Sequence, residues 1–538
     1  MPRHAISRLL PLSSLLLTAT MAAQAPTPPL LAPVAAVPVA AQTWEAAERL
    51  ANPTILRTQF VAVDTAALLR IPTVGPAPLG TLALDLFGRA TTFDVEQVEW
   101  TLGYRVFTGS LRGIDGEVHL TLAADGTTAA LIALPRATYA IASSGVPGVH
   151  VLEQLDPDRL PAARACGTDH THAVVAPTAP PIASLGTNSD CGLTTIDIIV
   201  FYTPQARLDG GGQSAIEATI VSAIAQANTG HDLSGAPVQF RLVHMAETTY
   251  TELGTGTDLA SLRDPADGFM DEVHAARDTY GADLVHLITS PSSAAYCGIG
   301  YLMGSLSTGF ESSAFAVTVR TCISNRSLTH ECGHNMGCHH DAANAGPAIY
   351  PYSYGYRTPD NAFRTIMAYA PGTRVNRWSG PGVVYQGYTM GTAGSADNVL
   401  TLVNTCLTVS QFRATIAPRW CDLGGGIAGA SGVPTMTGAG TINLADPLTL
   451  TMRGYVPGAI GLLVVGTTAV NVPLFGGTLV PAPEILLSLL GSTTEIVQDC
   501  SALATLAPGT EVWAQSVFLD ASAPEGLTAS DGVKVTVP

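Results

Sequence analysis

Between residues 55 and 145, apolar and polar positions alternate in short runs broken by turn signals. GEVHLTLAADGTTAALIALPRATYAI shows the pattern best, with one strand, a turn at Asp125-Gly126 and a second strand. Residues 26–45 are rich in Ala, Pro and Val without helical or strand period, and 168–188 have linker composition. The pattern changes near Cys191. IDIIVFYTP reads as a buried strand, SAIEATIVSAIAQANTG has helical period and stops at Gly230, and VQFRLVHMAETTY is a second strand. A helix containing GFMDEVHAARDTYG follows, then strands in ADLVHLITS, CGIGYLMGS and AFAVTVRTC. A helix opens near Asn325 or Ser327, and ADNVLTLVNTCLTVSQFR closes the unit as another. Strands alternating with helices predict a mixed sheet with helices packed on it. After about 415 the helical period is lost, and 416–538 read as a small all-β, sandwich-like domain.

The chain of 538 residues has room for several domains. Its net charge of −17 argues against nucleic acid or an anionic membrane as partner. The first 25 residues have the layout of an export signal: Arg3 and Arg8, a short apolar core, then small residues with cuts expected after Ala22 or Ala25. That predicts a secreted protein with no membrane association beyond export. The most apolar later run, AIGLLVVGTTAVNV, is expected to be a buried strand. Nine cysteines suit an oxidising compartment, and the odd number leaves at least one unpaired.

The chemistry concentrates in LTHECGHNMGCHHD. His330 and His334 stand one helical turn apart on one face and can share a Zn2+ ion. Glu331, beside the first, can take a proton from water on that ion. Gly337 is where the chain can turn sharply to bring in a third ligand, His340. His339 is out of register and is expected to be a solvated turn residue. Cys332 points to another face, which disfavours a structural Cys/His zinc site. Met367, in FRTIMAYA, lies in a short apolar turn.

HECGHNMGCHH followed by this methionine resembles the metzincin zinc peptidases, and Asp341 after the third histidine resembles their reprolysin/adamalysin branch. IDIIVFYTPQAR, YCGIGYLMGS and NRWSGPGVVYQGYTMGTAGSADNVLTL are similar to bacterial secreted members. The resemblance implies a multidomain protein: an α/β catalytic domain over 189–415, a β-rich prodomain and linker over 26–188, and the C-terminal β-domain. It implies a secreted zinc endopeptidase made as a zymogen, with Glu331 as general base and Met367 in a turn beneath the metal. Tyr369 matches the Met-x-Tyr spacing of other metzincins, whose tyrosine ligates zinc; here it is a candidate for that role or a packed aromatic. A peptide or protein substrate is expected to lie extended along the GIGYLMGS strand, and APGTRVNRW to wall the pocket for the side chain after the cut bond. Cys166, in ACGTD, resembles the thiolate switches that keep such enzymes latent. With Cys166 set aside, eight cysteines suffice for four disulfides, and Cys421–Cys500 is the natural pair in the last domain. The competing reading is a non-catalytic binding or adhesion protein on this scaffold. Ca2+ stays open as a second cofactor, with no EF-hand loop to indicate it. Oligomeric state and cleavage preference are not legible.

Overall fold

The fold comes from a computed structural model, which describes residues 29–73, 77–156, 159, 193–291, 296–429, 432–442, 447–491 and 495–538. The expected export signal, the 168–188 linker and Cys166 lie outside the described residues. The chain is mixed α/β, with several sheets and few helices.

Alternating runs near the N-terminus become one antiparallel nine-stranded sheet: β1 (Leu31–Pro33), β2 (Ile55–Val63), β3 (Gly80–Asp85), β4 (Ala90–Thr101), β5 (Tyr104–Leu111), β6 (Ile114–Leu122), β7 (Thr128–Leu134), β8 (Ala137–Val146) and β9 (Val149–Leu155). Their spatial order is β1-β2-β9-β8-β7-β6-β5-β4-β3. The turn at Asp125-Gly126 joins β6 to β7; Gly126 has φ of 86°, and the Asp125 carboxylate accepts the Thr127 N–H at 2.9 Å. Phe93, Phe107, Leu120, Ile132 and Leu152 fill one side.

The expected structureless leader is corrected here. Helices α1 (Val39–Ala51) and α2 (Thr65–Leu69) flank β2, and α1 begins inside that Ala/Pro/Val-rich stretch. Partners distant in sequence hold α1: Trp44 donates to the Asp209 carbonyl at 2.9 Å, and Glu48 pairs with Arg320. No local period announces such contacts.

The second unit is built on β10 (Thr194–Tyr202), β11 (Val238–Glu247), β12 (Leu284–Thr289), β13 (Gly298–Gly300) and β14 (Phe315–Val319) in the order β11-β10-β12-β14-β13. The first four are parallel, and β13 closes one edge antiparallel to β14. Helices α3 (Pro204–Asp209), α4 (Gln213–Asp232), α5 (Thr255–Arg263), α6 (Glu272–Tyr280), α7 (Ser327–Asn335) and α8 (Asn398–Val409) complete it. Pro204 opens α3 behind a Thr203 cap, and Asp397 caps α8. α4 is buried nearly all round because it lies between β11 and strands β5 to β8 of the first sheet.

Residues 419–538 form a six-stranded sheet and a three-stranded one that share a core of Met436, Leu450, Met452, Tyr455, Leu463 and Phe518. AIGLLVVGTTAVNV does form strands, but it is not buried throughout: Ile460 is 62% exposed and Val472 44%. In the first strand Ile460 and Leu462 face outward between buried neighbours, and in the second every residue from Ala469 to Pro473 is exposed.

The cysteine expectations also need correction. Cys297 and Cys322 are bridged, tying β13 to the 3₁₀ turn that leads into α7. Cys332, Cys338, Cys406 and Cys500 are free thiols, so four bridges do not form. Cys421 is disulfide-bonded, but not to Cys500. Cys421 lies on the six-stranded sheet, whereas Cys500 follows the last strand of the three-stranded one. Cys332, Cys338 and Cys406 are buried, where the thiol packs as a small apolar group.

Candidate active site

α7 starts at Ser327, directly after Arg326 turns the chain with φ of 62°. The whole helix is buried, which places His330, Glu331 and His334 inside the protein. The Nδ1 of His330 bonds the Ile366 carbonyl at 2.9 Å, and that of His334 bonds the Cys338 carbonyl at 2.9 Å. Each bond keeps the proton on Nδ1 and turns the Nε2 lone pair inward. Gly337, with φ of 86°, ends the helix, and the chain doubles back through His339–Asp341. A Cβ at Gly337 would lie 3.0 Å from Ile349 in a backbone conformation that side chains resist. This turn brings His340 Nε2 to 3.0 Å from His334 Nε2.

One ligand atom from each of His330, His334 and His340 lies within 4.8 Å of the others. His330 Nε2 is buried and has no hydrogen-bond partner. A buried nitrogen of that kind costs free energy unless an electron-pair acceptor meets it. Burial, with nearby Arg374 and the neighbouring histidines, lowers the pKa of His330 and His340 well below the usual imidazole value. The rings are therefore neutral, the form that ligates a metal. Three converging neutral imidazoles fit zinc with one position left open.

Glu331 is fully buried, and its side chain lies against the edge strand β13. A Cβ on Gly298 would sit 2.4 Å from its Oε1, so only glycine leaves space for this carboxylate. Met367 is fully buried. A Cβ on Gly333 of α7 would lie 2.7 Å from the Met367 sulfur and 2.9 Å from Trp378, so this turn packs directly under the helix.

Tyr369 is partly buried, its ring centroid 4.2 Å from that of His340 and 6.4 Å from that of His330. Its backbone N–H donates to Asp341 at 3.0 Å, and Asp341 also accepts from Arg357 at 2.8 Å. Asp341 thus ties the third-histidine segment to the turn. His339 is not solvated as expected: it is fully buried, and its Nδ1 accepts the His340 N–H at 2.9 Å. Cys332 lies apart from the triad, its sulfur 3.7 Å from His286 Nδ1.

Several contributors escape a reading of the sequence. Gly298 carried a visible signal, the Gly-x-Gly of an edge strand, where backbone or a side chain approaches closely. The buried arginines around the turn carried none. Arg326 donates to the Arg374 carbonyl at 3.0 Å. Arg374 donates to the carbonyls of Asn325 at 3.0 Å and Ala368 at 3.3 Å. Arg364 donates to those of Gly372 at 2.6 Å and Ala368 at 2.9 Å. Burial first, then the charges of Arg364 and Arg326, push the pKa of Arg374 well down.

Residues 192–379 match the model of metallo-peptidase family M12, reprolysin type. A peptidyl-Asp metalloendopeptidase of Xanthomonas campestris is 33% identical over 384 residues, covering 68% of this chain and 88% of that protein. One of Stenotrophomonas maltophilia is 34% identical over 282 residues, covering 49% of this chain and 63% of its own. Among solved structures, metalloproteinase-II from Bacteroides fragilis aligns at 12% identity over 64% of this chain and 95% of its own, with a TM-score of 0.38, too loose a likeness to carry an inference. The relatives are named as enzymes, which leaves the non-catalytic binding reading without support. The chain belongs to the M12 metallopeptidases and is a bacterial, metzincin-type zinc metalloendopeptidase.

Proposed function

We propose that the protein is a secreted endopeptidase made as a zymogen, with residues 1–25 as export signal, 26–188 as prodomain and linker, 189–415 as catalytic domain and 416–538 as an appended β-domain. His330, His334 and His340 hold zinc, and Glu331 is the general base. The observation that carries this reading is the convergence of three imidazoles within 4.8 Å, with Glu331 on the same helix. Bound zinc would supply a Lewis acid for the scissile carbonyl and lower the pKa of a water molecule. Glu331 takes the proton from the attacking water and returns it to the leaving amine. Tyr369, its ring tilted against that of His340, donates to the developing oxyanion. The substrate backbone pairs with β13, the antiparallel edge of the sheet, which favours an extended peptide. The relatives' name points to aspartate, and we extend an acidic preference to this chain.

In the zymogen, Cys166 serves as the thiolate latch. The bridge tally no longer supports that role, because four other cysteines are free. It requires Cys166 to be a thiol in the proform, which alkylation and peptide mapping would read directly.

The experiment is cleavage of a mixed peptide library by the matured protein, with Glu331→Ala as control and zinc assayed in both. Cutting by the wild type alone, at equal zinc content, is the expected result. If neither cuts although both hold zinc, the endopeptidase assignment of this site fails.

A further inference from the structure

The face that the nine-stranded sheet turns to the catalytic unit meets it with matched polar groups. Glu117 accepts from Asn376 and Arg377, and Tyr104 donates to Glu217. One place departs from this pattern. Arg320 opens the 3₁₀ turn that leads into α7, and Glu48 of α1 pairs with it. Glu153, on β9, lines the same cavity, about 60 Å3 between the sheet, α1 and that turn. Of the residues lining this cavity only these three carry charge, two carboxylates against one guanidinium. Glu48 is 5% exposed and Glu153 4%, and Oε1 of Glu153 has no hydrogen-bond partner. Glu45, one turn before Glu48 on α1, and Asp209 on α3 bring more negative charge to the cluster. The walls supplied by α4, β7 and β8 bring none.

One guanidinium cannot neutralise two carboxylates, and a cavity of this size holds a few water molecules at most. A second buried anion beside Glu48 is strongly unfavourable, so the stable arrangement keeps a proton on Glu153. Burial, then the charge of Glu48, hold its carboxyl well above the usual carboxylate range, against the pull of Arg320. When the sheet leaves the catalytic unit, water reaches Glu153, its ordinary acidity returns and the proton passes to solvent.

We propose that the nine-stranded sheet docks on the catalytic unit with a proton trapped on Glu153, so that docking holds in acid and loosens as pH rises above neutrality. On the zymogen reading, which this step rests on, the proton gates latency: the N-terminal segment stays on the enzyme until its surroundings turn alkaline. The docked value of Glu153 lies above the undocked one. Its contribution to docking is therefore complete below pH ~4.3 and is lost as pH rises through the docked value. His119 of β6, which bonds Thr229 of α4, works the other way. Burial, then the charge of Arg326, lower it to about 3, so its contribution is complete above pH ~6.5. The two oppose each other between these limits, and above them Glu153 remains.

The test uses the full chain cut once between 160 and 165, ahead of Cys166, so that no cysteine remains on the N-terminal half. The dissociation constant of the two halves is measured between pH ~6.5 and ~9, for the wild type and for Glu153→Gln, which keeps the shape and cannot ionise. The ratio of the constants, wild type over variant, should rise about tenfold or more across that range. That ratio isolates Glu153 from every other titrating group of the interface. Peptide cleavage by the cut wild type, relative to the matured enzyme at the same pH, should rise in parallel. A flat ratio overturns the proposal. If Glu153→Gln does not fold, the wild type still decides, because a constant that does not rise over this range overturns the proposal alone. Halves that separate at every pH overturn it as well. Docking that follows pH while cleavage does not would support the proton at Glu153 and bring down the zymogen reading instead.

Discussion

Glu331 occupies space that a single methyl group would take. The Cβ of an alanine at 298 would lie 2.4 Å from Oε1 and 2.8 Å from the carboxyl carbon, well inside van der Waals contact. Position 298 has no positive φ, so alanine is acceptable to the backbone and the clash falls on the carboxylate. A displaced general base loses most of its contribution, typically 10²–10⁴-fold. Gly298→Ala should therefore lower kcat by about 100-fold while zinc content and Tm stay near wild type. A matching loss of zinc would show that the clash reaches the histidines instead. His231 offers a second residue-scale test. Burial lowers its pKa to about 3, and neither ring nitrogen has a hydrogen-bond partner, while the ring stacks on Trp378 at 5.6 Å. Its folded pKa lies below the unfolded one, so the unfolded chain binds the extra proton. The stability it supports is complete above pH ~6.5 and drains away as pH falls toward 3, by about 3 kcal/mol at pH 4. His231→Phe keeps the stacking and removes the proton site. The variant should show a visibly flatter fall of Tm between pH 7 and 4; an unchanged slope would refute the link.

At the scale of elements, α7 depends on how it ends. The third ligand reaches the site only because Gly337 adopts φ of 86°. Alanine there incurs a left-handed penalty of about 1–2 kcal/mol, and its Cβ presses on Ile349. Gly337→Ala should weaken zinc retention about tenfold or more in a chelator competition, with His340 displaced and α7 intact by circular dichroism. The same element explains what was legible in the sequence. His330, Glu331, His334, Gly337 and His340 sit within one short segment, so helix geometry alone relates them. Gly298 showed only as part of the Gly-x-Gly of an edge strand and Asp341 only as the residue after His340; their contacts with Glu331 and Tyr369, and the guanidinium of Arg374, reach the site through the fold, which spacing does not reveal. α1 failed for the same reason: its anchors, Asp209 and Arg320, lie 165 and 272 residues away from their partners. The outward faces of Ile460 and Val472 were misjudged because hydrophobicity alone does not tell which side of a strand is covered.

Across the whole molecule, the nine-stranded sheet and the catalytic unit meet through polar contacts more than apolar ones. Thr121 bonds Ser222 at 2.8 Å, His119 bonds Thr229 at 2.9 Å, and Glu117 accepts from Asn376 at 2.8 Å and Arg377 at 3.3 Å. Tyr104 reaches Glu217, and Val106 and Leu131 add a small apolar patch. An interface of this composition resembles one between separable partners rather than a domain core. Under the proposed zymogen reading, it suits a segment that stays docked after its link is cut and is then shed. Glu48–Arg320 is the pair on which docking should depend most, since both side chains are at most 10% exposed. Removing one partner strands the other's charge and costs about 3–5 kcal/mol. When the wild-type chain is cut once between 160 and 192, the N-terminal fragment should co-elute with the catalytic unit on size exclusion. With Glu48→Gln, which keeps the shape and loses the charge, the fragments should separate at micromolar concentration. Separation of the wild-type fragments under the same conditions would mean that the linker, rather than this interface, keeps the two units together. Co-elution of the variant would mean that the polar contacts along α4 suffice without the ion pair.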